Sequence, residues 1–364
     1  MAGSLGAQLK FQELDAGDGS PPRYLVVEGA IPQPLGFEAL QEARADAPLT
    51  VRFDWRGAKV VDTDIPDFDR SAPRDLTATV QSPFTSRAIL LVRGGWLPSS
   101  PYLVDPKTIF LLDRNVISEV AGRFSGGASK GRDPDFMDIF ASVPVRLNPM
   151  LAVLEGAQRR VPTEEETKAQ LAEITAKLKA ALPNAEFLAG PDFLQGVNGL
   201  IAEGRAWFNR HQAFLLRAAS IMPGPVARRR RAACWQDILE AADADSVPRT
   251  SLVLLTVLCG LFAPNGIGPA RATLKFRAGY TVEDAYNALC DLRSLELFLN
   301  LLGVFPEQPA NLCTGDRALA LLWVGMGFEG VGRSNTGTTI DFSFDEALMP
   351  PEAAAWWRAA SEIP

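Results

Sequence analysis

The chain has 364 residues, of which 47% are hydrophobic and 22% are charged, which is an ordinary composition for a globular protein of two or three domains. Its formal net charge of −7 excludes a surface that is basic throughout, although a local basic patch for nucleic acid stays compatible with it. The four cysteines have no paired spacing, so we expect neither a zinc site nor a disulfide framework, and a reducing, cytoplasmic environment.

Residues 1–103 are rich in proline, glycine and aspartate, and apolar runs predict strands at 24–27, 49–53 and 88–92. With a short helix predicted at 37–44, we expect an N-terminal accessory domain of the α+β or mostly β class. No basic stretch followed by an apolar run begins the sequence, so we expect no signal peptide. The acidic residues between the prolines are typical of solvated loops, with a calcium site as the alternative for Asp62, Asp64, Asp67 and Asp69.

The apolar run Thr108–Leu112 is followed directly by Asp113. A continuous β-branched and aromatic run predicts a strand that is buried on both faces, as in a parallel sheet. Asp113 is then at the carboxyl end of the strand, where open α/β sheets keep their ligand sites. We expect Asn115 to be the N-cap of a helix that starts at Val116. The glycine-rich stretch 123–133 is predicted to be a mobile loop beside Asp113 that faces substrate.

A second acidic residue, Glu155, lies at the end of a predicted helix with Asn148 as N-cap and Pro149 in the first position. Leu151 is four residues earlier, so it shares a helix face with Glu155. A carboxylate on an apolar face must be paired, metal-bound or neutralised. The alternative is a glutamate at the rim of that face that reaches water.

We expect a large all-helical insertion at about 161–280, because helical patterns follow one another there. The run 252–262 is the most apolar of the chain and too short to span a bilayer, so it is predicted to be a buried helix. His211 is predicted to be a packed histidine rather than a catalytic one. The insertion also holds four candidate nucleic-acid-binding residues, Arg228, Arg229, Arg230 and Arg231. The alternative interpretations of this basic run are a solvated helix start and a surface for an acidic partner.

Two further acidic motifs follow. A helix predicted over 281–302 carries Asp291 on an apolar stripe, with Glu296 as the competing candidate on a neighbouring stripe. A short strand over 310–315 then ends at Asp316 and is followed by a helix. If this strand lies beside the strand that precedes Asp113, the two aspartates share one crevice.

The order of these motifs resembles the PIN-domain nuclease family, over about residues 104–330. That family's pattern is a strand ending in Asp-x-Asn, a helix with a glutamate near a glycine, a later helix with an aspartate, and a strand ending in Thr-x-Asp. The corresponding residues here are Asp113-Arg114-Asn115, Glu155-Gly156, Asp291 and Thr314-Gly315-Asp316. The sequence departs from the pattern at Arg114, where family members usually carry Thr or Ser, and in the long segment between Glu155 and Asp291.

The resemblance implies an α/β fold with a three-layer PIN-like core and a parallel central sheet. Beyond it, we expect a C-terminal strand and helix at 331–364 to dock on the body, because Trp356 and Trp357 would otherwise be exposed. It also implies a Mg²⁺- or Mn²⁺-dependent nuclease acting on RNA, because hard cations prefer carboxylate oxygens. The residues that this reading assigns are Asp113, Asp291 and Asp316 as metal ligands, Glu155 as the fourth catalytic acid, and Asn115 and Thr314 in support.

Two alternatives to a nuclease stay open. The first is a catalytically degenerate PIN-like module that binds nucleic acid or protein, with the charge of Arg114 in place of the metal. The second is a different metal-assisted phosphate enzyme on a Rossmann-like sheet, because strand-end aspartates serve phosphoryl transfer too. A homodimer or a protein partner is compatible with either reading, and no membrane contact is expected.

Overall fold

The computed structural model describes residues 8–12, 21–334 and 337–361, and these form a mixed α/β fold. The strands are β1 (Leu9–Gln12), β2 (Tyr24–Glu28), β3 (Ile31–Pro32), β4 (Thr50–Thr63), β5 (Arg74–Gln81), β6 (Ile89–Val92), β7 (Gly95–Pro98), β8 (Ile109–Leu112), β9 (Phe124–Ser125), β10 (Ala128–Ser129), β11 (Arg146–Asn148), β12 (Glu186–Phe187), β13 (Ala310–Thr314), β14 (Phe328–Ser334) and β15 (Gly337–Phe342). The helices are α1 (Phe37–Glu42), α2 (Arg114–Arg123), α3 (Met150–Glu155), α4 (Glu164–Ala181), α5 (Pro191–Ile221), α6 (Arg231–Ala244), α7 (Leu252–Gly260), α8 (Pro269–Leu274), α9 (Val282–Val304), α10 (Arg317–Met326) and α11 (Pro351–Ser361).

The N-terminal region forms an antiparallel sheet with the order β1-β2-β4-β3, in which β5 also pairs with β4. Side chains alternate along β4: Val51, Phe53 and Trp55 are buried, whereas Arg52 and Asp54 are exposed. This period of two is expected of an antiparallel strand with one face on the core and the other in water.

The central sheet has the order β12-β11-β8-β13-β6-β7. The first four strands are parallel, but β6 runs antiparallel to β13 and β7 antiparallel to β6. The prediction of a parallel central sheet therefore misses an antiparallel edge. Both antiparallel strands, β6 and β7, come from residues 1–103, which the sequence analysis assigned to an accessory domain. Every residue of β6 is buried, and such an apolar run does not specify which sheet it joins.

Strands β8 and β13 are direct neighbours in the centre of this sheet. Leu112 of β8 is paired with Cys313 of β13, and the backbone N–H of Asp113 donates to the carbonyl of Cys313 at 3.1 Å. Because parallel strands end at the same edge of a sheet, Asp113 and Thr314 come to lie side by side. Helix α2 leaves this edge after β8, and α10 leaves it after β13. The two strand-end aspartates are thus brought to one place by the topology.

The segment between α3 and α9 consists of α4 to α8 and is not entirely helical, because β12 adds a strand to the end of the central sheet. Two residues are too short a stretch for a periodic signal, so the sequence did not indicate this strand. Helix α7 is buried along its whole length, as predicted for 252–262. No single helix among the described residues is long and apolar enough to cross a membrane, although α7 with the bent segment Pro264–Leu274 meets the length and composition criteria together.

The glycine-rich stretch 123–133 forms a hairpin of β9 and β10 instead of a loop beside Asp113. The backbone N–H groups of Gly126 and Gly127 donate to the carbonyls of Ala180 and Ala181, both at 2.8 Å, and so satisfy the end of α4. The hairpin follows the C-terminus of α2, whereas Asp113 precedes its N-terminus, and a ten-residue helix separates them by about 15 Å. The prediction of a substrate-facing loop is wrong for this geometric reason.

His211 is a buried residue of α5 and plays a structural part, in agreement with the prediction. Its Nδ1 lies 2.7 Å from the carbonyl of Trp207, its Nε2 lies 3.1 Å from Oγ of Ser251, and its ring stacks on Trp207. Burial lowers the pKa of His211 from 6.5 to about 4. The neutral imidazole therefore joins α5 to the N-terminus of α7, which Ser251 caps.

We expect the His211→Gln variant to lose stability less steeply than the wild type between about pH 7 and about pH 5. As the pH falls through 6.5, the unfolded chain binds a proton that the folded chain, with its lower pKa, does not take up. The wild type should therefore lose about 2 kcal/mol of unfolding free energy over this interval through His211. Urea unfolding of both proteins at the two pH values measures the difference. Equal losses in both would contradict the burial of a neutral histidine.

Candidate functional site

Asp113 stands at the start of α2 and is held on both carboxylate oxygens. Its Oδ1 accepts a hydrogen bond from the backbone N–H of Val116 at 2.7 Å, so Asp113 is the N-cap of α2. Its Oδ2 accepts from Oγ1 of Thr314 at 2.5 Å and from the backbone N–H of Gly315 at 3.2 Å. The predicted cap, Asn115, is instead an exposed residue of the first turn, because the helix begins at Arg114, two residues earlier than the apolar pattern indicated.

Thr314 connects the two strand-end aspartates. Its buried hydroxyl donates to Asp113 and accepts from the backbone N–H of Asp316 at 2.9 Å. Asp316 in turn is the N-cap of α10, because its Oδ1 accepts from the backbone N–H of Leu319 at 3.0 Å. Both aspartates are thereby fixed at helix N-termini, where a negative charge is favourable.

Glu155, the last residue of α3, faces the same pocket and is accompanied by Arg114. The Nε of Arg114 lies 3.5 Å from Oε2 of Glu155. The same guanidinium donates to the carbonyls of Ala152 and Gly156 at the end of α3. Arg114 therefore pairs with the glutamate and the helix end, and no described contact joins it to the Asp113 carboxylate. Beside it, the hydroxyl of Tyr286 donates to the carbonyl of Glu155 at 2.7 Å.

The structure distinguishes the two candidates on α9. Asp291 lines the pocket together with Asp113 and Glu155, and no described residue gives its carboxylate a hydrogen bond or an ion pair. Glu296 forms an ion pair with Arg293 at 3.1 Å and does not line the pocket. Of the two, only Asp291 joins the acidic group.

The pocket is small, with a volume of about 50 Å³, which is room for a few waters or a hydrated ion. Asn115, Cys290 and Ser294 complete its polar wall. Within the described residues, no three His, Cys, Asp or Glu side chains have the spacing of an assembled metal site, and this holds for the N-terminal acids as well as for this pocket.

The carboxylates of the acidic pocket lie close enough to disfavour one another's charge. Burial, and then the charges of Asp316, Glu155 and Asp113, raise the pKa of Asp291 well above its usual value. Burial also raises the pKa of Asp113, with a further contribution from Asp316, whereas the hydrogen bond from Thr314 opposes the rise. Burial raises the pKa of Glu155 in the same way, and the charge of Arg114 opposes it. Segments far apart in sequence thus form one electrostatically coupled acidic group.

Lys275 is a residue near this group that sequence reasoning missed. It follows α8 in a left-handed backbone conformation, with φ 57°, and is exposed. Its positive charge lowers the pKa of Asp291, against the effect of burial. No motif or periodicity marks a single exposed lysine at the end of a short helix, so nothing in the sequence could have indicated it.

The predicted basic residues lie apart from the acidic pocket, since none of them lines it. Arg228, Arg229 and Arg230 form an exposed 3₁₀ turn, and Arg231 begins α6 with its guanidinium over the ring of Phe262. Other arginines of the insertion are engaged elsewhere: Arg217 pairs with Asp245, and Arg271 is buried among backbone carbonyls.

No family model matches the chain, and searches of curated proteins and of solved structures found no similar protein. The chemistry of the pocket therefore has to be inferred from its own residues. Oxygen donors without histidine suit hard divalent cations. Partly buried carboxylates with raised pKa values are also a known mark of functional sites.

We expect Asp291→Asn to stabilise the folded protein at neutral pH by roughly 0.5–2 kcal/mol, a gain common when an unfavourable active-site group is removed. The pKa of Asp291 is raised in the folded state, so stability falls as the pH rises above the pKa of the unfolded chain, and the amide removes this cost. The matched control is Asp284→Asn on the same helix, because Asp284 accepts from the backbone N–H of Thr281 in a capping box and its pKa is lowered. Thermal and urea unfolding should show opposite signs for the two variants; destabilisation by Asp291→Asn would contradict the electrostatic reading.

Proposed function

We propose that this protein is a metal-dependent nuclease that hydrolyses phosphodiester bonds in RNA at the acidic pocket. The observation that carries the proposal is that Asp113, Glu155 and Asp291, from three distant segments, line one small pocket beside Asp316. A fold does not gather mutually repelling carboxylates without cost, and an ion or a proton is needed to balance them.

The donor set fits Mg²⁺ or Mn²⁺. All its charged donors are carboxylates, and Asp291 has no protein partner among the described residues. Asp113 and Asp316 each use Oδ1 as a helix cap, but a carboxylate oxygen has two lone pairs and can accept a cation as well. Because the described carboxylates do not already have the spacing of a ligand group, ligation requires movement of their side chains. A bound ion there supplies an activated water and neutralises charge on the phosphate.

The protein's own residues prepare this chemistry. Thr314 and the Gly315 N–H hold the Asp113 carboxylate in one orientation. Asn115 is exposed at the pocket rim, where its amide is free to reach a substrate phosphate or sugar. Exposed Lys275 adds a positive charge on the Asp291 side, so an anionic backbone that enters the pocket meets a cation as well as the acids.

The second candidate function is a PIN-like module that binds nucleic acid or protein without cutting it. The ion pair between Arg114 and Glu155 favours this alternative, since a fixed guanidinium already neutralises one of the four acids. The contacts of Arg114 with Glu155 leave three carboxylates without a fixed cation partner, and for this reason we prefer the nuclease.

The nuclease proposal predicts that the purified protein cleaves single-stranded RNA in the presence of Mn²⁺ and that EDTA stops the reaction. Asp113→Asn and Asp316→Asn should each lower the cleavage rate by about a hundredfold or more, since each removes a charged ligand. Asparagine is an equally good N-cap, so neither variant should unfold. Asp54→Asn, on the exposed face of β4, is the control and should cleave normally. Cleavage that survives in both site variants would refute the proposal.

Arg114→Thr tests the two functions against each other. Without the guanidinium, Glu155 becomes a free ligand, and the Mn²⁺ concentration for half-maximal cleavage should fall by about tenfold, the size of effect seen when groups around metal ligands change. Arg114→Lys keeps the charge and should shift this concentration little. The Mn²⁺ dependence of the cleavage rate measures both. If the wild type is inactive and Arg114→Thr gains cleavage, the degenerate module is the better description.

A further inference from the structure

The surface around Trp356 combines an apolar groove with unpaired positive charge. The groove runs between α6 and α11 and has a volume of about 400 Å³. Its walls are Ala232, Trp235, Gln236, Leu239, Arg249, Trp356, Ala359 and Ala360. We call this groove, together with Arg228 to Arg231, the Trp356 surface. None of its residues lines the acidic pocket.

Trp356 is held in place but leaves much of its ring exposed. Its ring centre lies 5.5 Å from that of Trp235 in an edge-to-face arrangement and 6.4 Å from that of Phe262. Trp235 and Phe262 are buried, whereas Trp356 is 40% exposed. A large aromatic ring that is packed on one side and open on the other offers a flat apolar platform on which a planar group can stack.

The positive charge lies at the start of α6, the helix that forms one wall of the groove. Arg231 lies over the ring of Phe262 at 5.4 Å, and Phe262 in turn contacts Trp356. Arg228, Arg229 and Arg230 precede it in an exposed turn, and no described residue pairs with any of the three. The only charged residue in the groove wall is Arg249, which pairs with Asp243. Exposed acids lie on the same two helices, Asp237 and Glu240 on α6 and Glu352 on α11, so the positive charge of this surface is that of the arginine turn alone.

We propose that the Trp356 surface binds single-stranded nucleic acid, with a base stacked on Trp356 and the phosphates on Arg228 to Arg230. An aromatic platform next to a basic track is the arrangement that binds single strands with little sequence preference. A peptide of acidic residues can pair with the arginines but has no planar group to stack on Trp356. In a duplex the bases stack on one another, so none is available to stack on Trp356. The binding does not depend on cleavage at the acidic pocket.

The test is fluorescence anisotropy of a labelled oligouridylate with the full chain in EDTA, so that cleavage plays no part. Trp356→Ala should weaken binding by about tenfold or more, because stacking of one base on an aromatic side chain contributes about that much. Trp356→Phe keeps a ring in the packing and should retain most of the affinity. The double variant Arg228→Ala with Arg229→Ala should lower the slope of log affinity against log salt by about 1.4, the value for two contacts to a single strand.

Matched controls distinguish binding at this surface from nonspecific electrostatic attraction to arginine. Arg52→Ala with Arg56→Ala removes the same charge from exposed positions of β4 and should leave binding unchanged. A duplex of the same length and a polyglutamate peptide should compete poorly. Equal competition by polyglutamate, equal binding of the duplex, an unaffected Trp356→Ala variant or no binding by the wild type would each overturn the proposal. Asp113→Asn should bind the oligouridylate normally, because Asp113 is not part of the Trp356 surface. Failure of the nuclease proposal would therefore appear in the cleavage assay, and failure of this proposal in the binding assay.

Discussion

The hydrogen bond from Thr314 to Asp113, 2.5 Å long, is the interaction on which the candidate site depends. It joins the ends of two parallel central strands, and the same hydroxyl accepts from the backbone of Asp316. The pocket is therefore a consequence of strand register. The pairing of Leu112 with Cys313 buries both side chains and brings the next two residues to the sheet edge together. A slip of one residue in β13 would turn Thr314 to the opposite face and separate the aspartates.

The acids in and beside the pocket differ in what they contribute to the stability of the folded chain. Asp113 and Asp316 cap helices, so each stabilises the structure even before any ligand binds. Asp291 lies in the middle of α9, caps nothing and has no described partner, and its pKa is raised well above normal by burial and by the neighbouring acids. A buried carboxylate whose charge is disfavoured needs compensation, and a bound cation or a proton is the physical candidate.

Sequence reasoning was most successful where the signal is local. An apolar run followed by an acid and a helical pattern located Asp113 and Asp316 at strand ends, whereas the pairing of β8 with β13, which the sequence analysis raised only as a condition, is a finding of the structure. It was wrong where the exact first residue of a helix matters, because it named Asn115 and not Asp113 as the N-cap of α2. It could not separate Asp291 from Glu296, because both lie among apolar residues and only packing gives Glu296 its partner, Arg293. The antiparallel β6 and β7 were assigned to the wrong unit of the chain for a similar reason, since sheet membership is a tertiary property.

Arg114 lines the acidic pocket without forming a contact with the aspartates among the described residues. Its guanidinium donates to two carbonyls at the C-terminus of α3 and faces Glu155 there, a favourable position for a cation because the helix dipole is negative at that end. The arginine thereby ties the start of α2 to the end of α3 and neutralises the one acid that comes from α3. The three aspartates keep their places because their positions come from the sheet edge and from α9, not from α3. On the nuclease proposal, the aspartates are the main metal ligands, and Arg114 tunes the affinity by setting how much negative charge Glu155 adds to theirs.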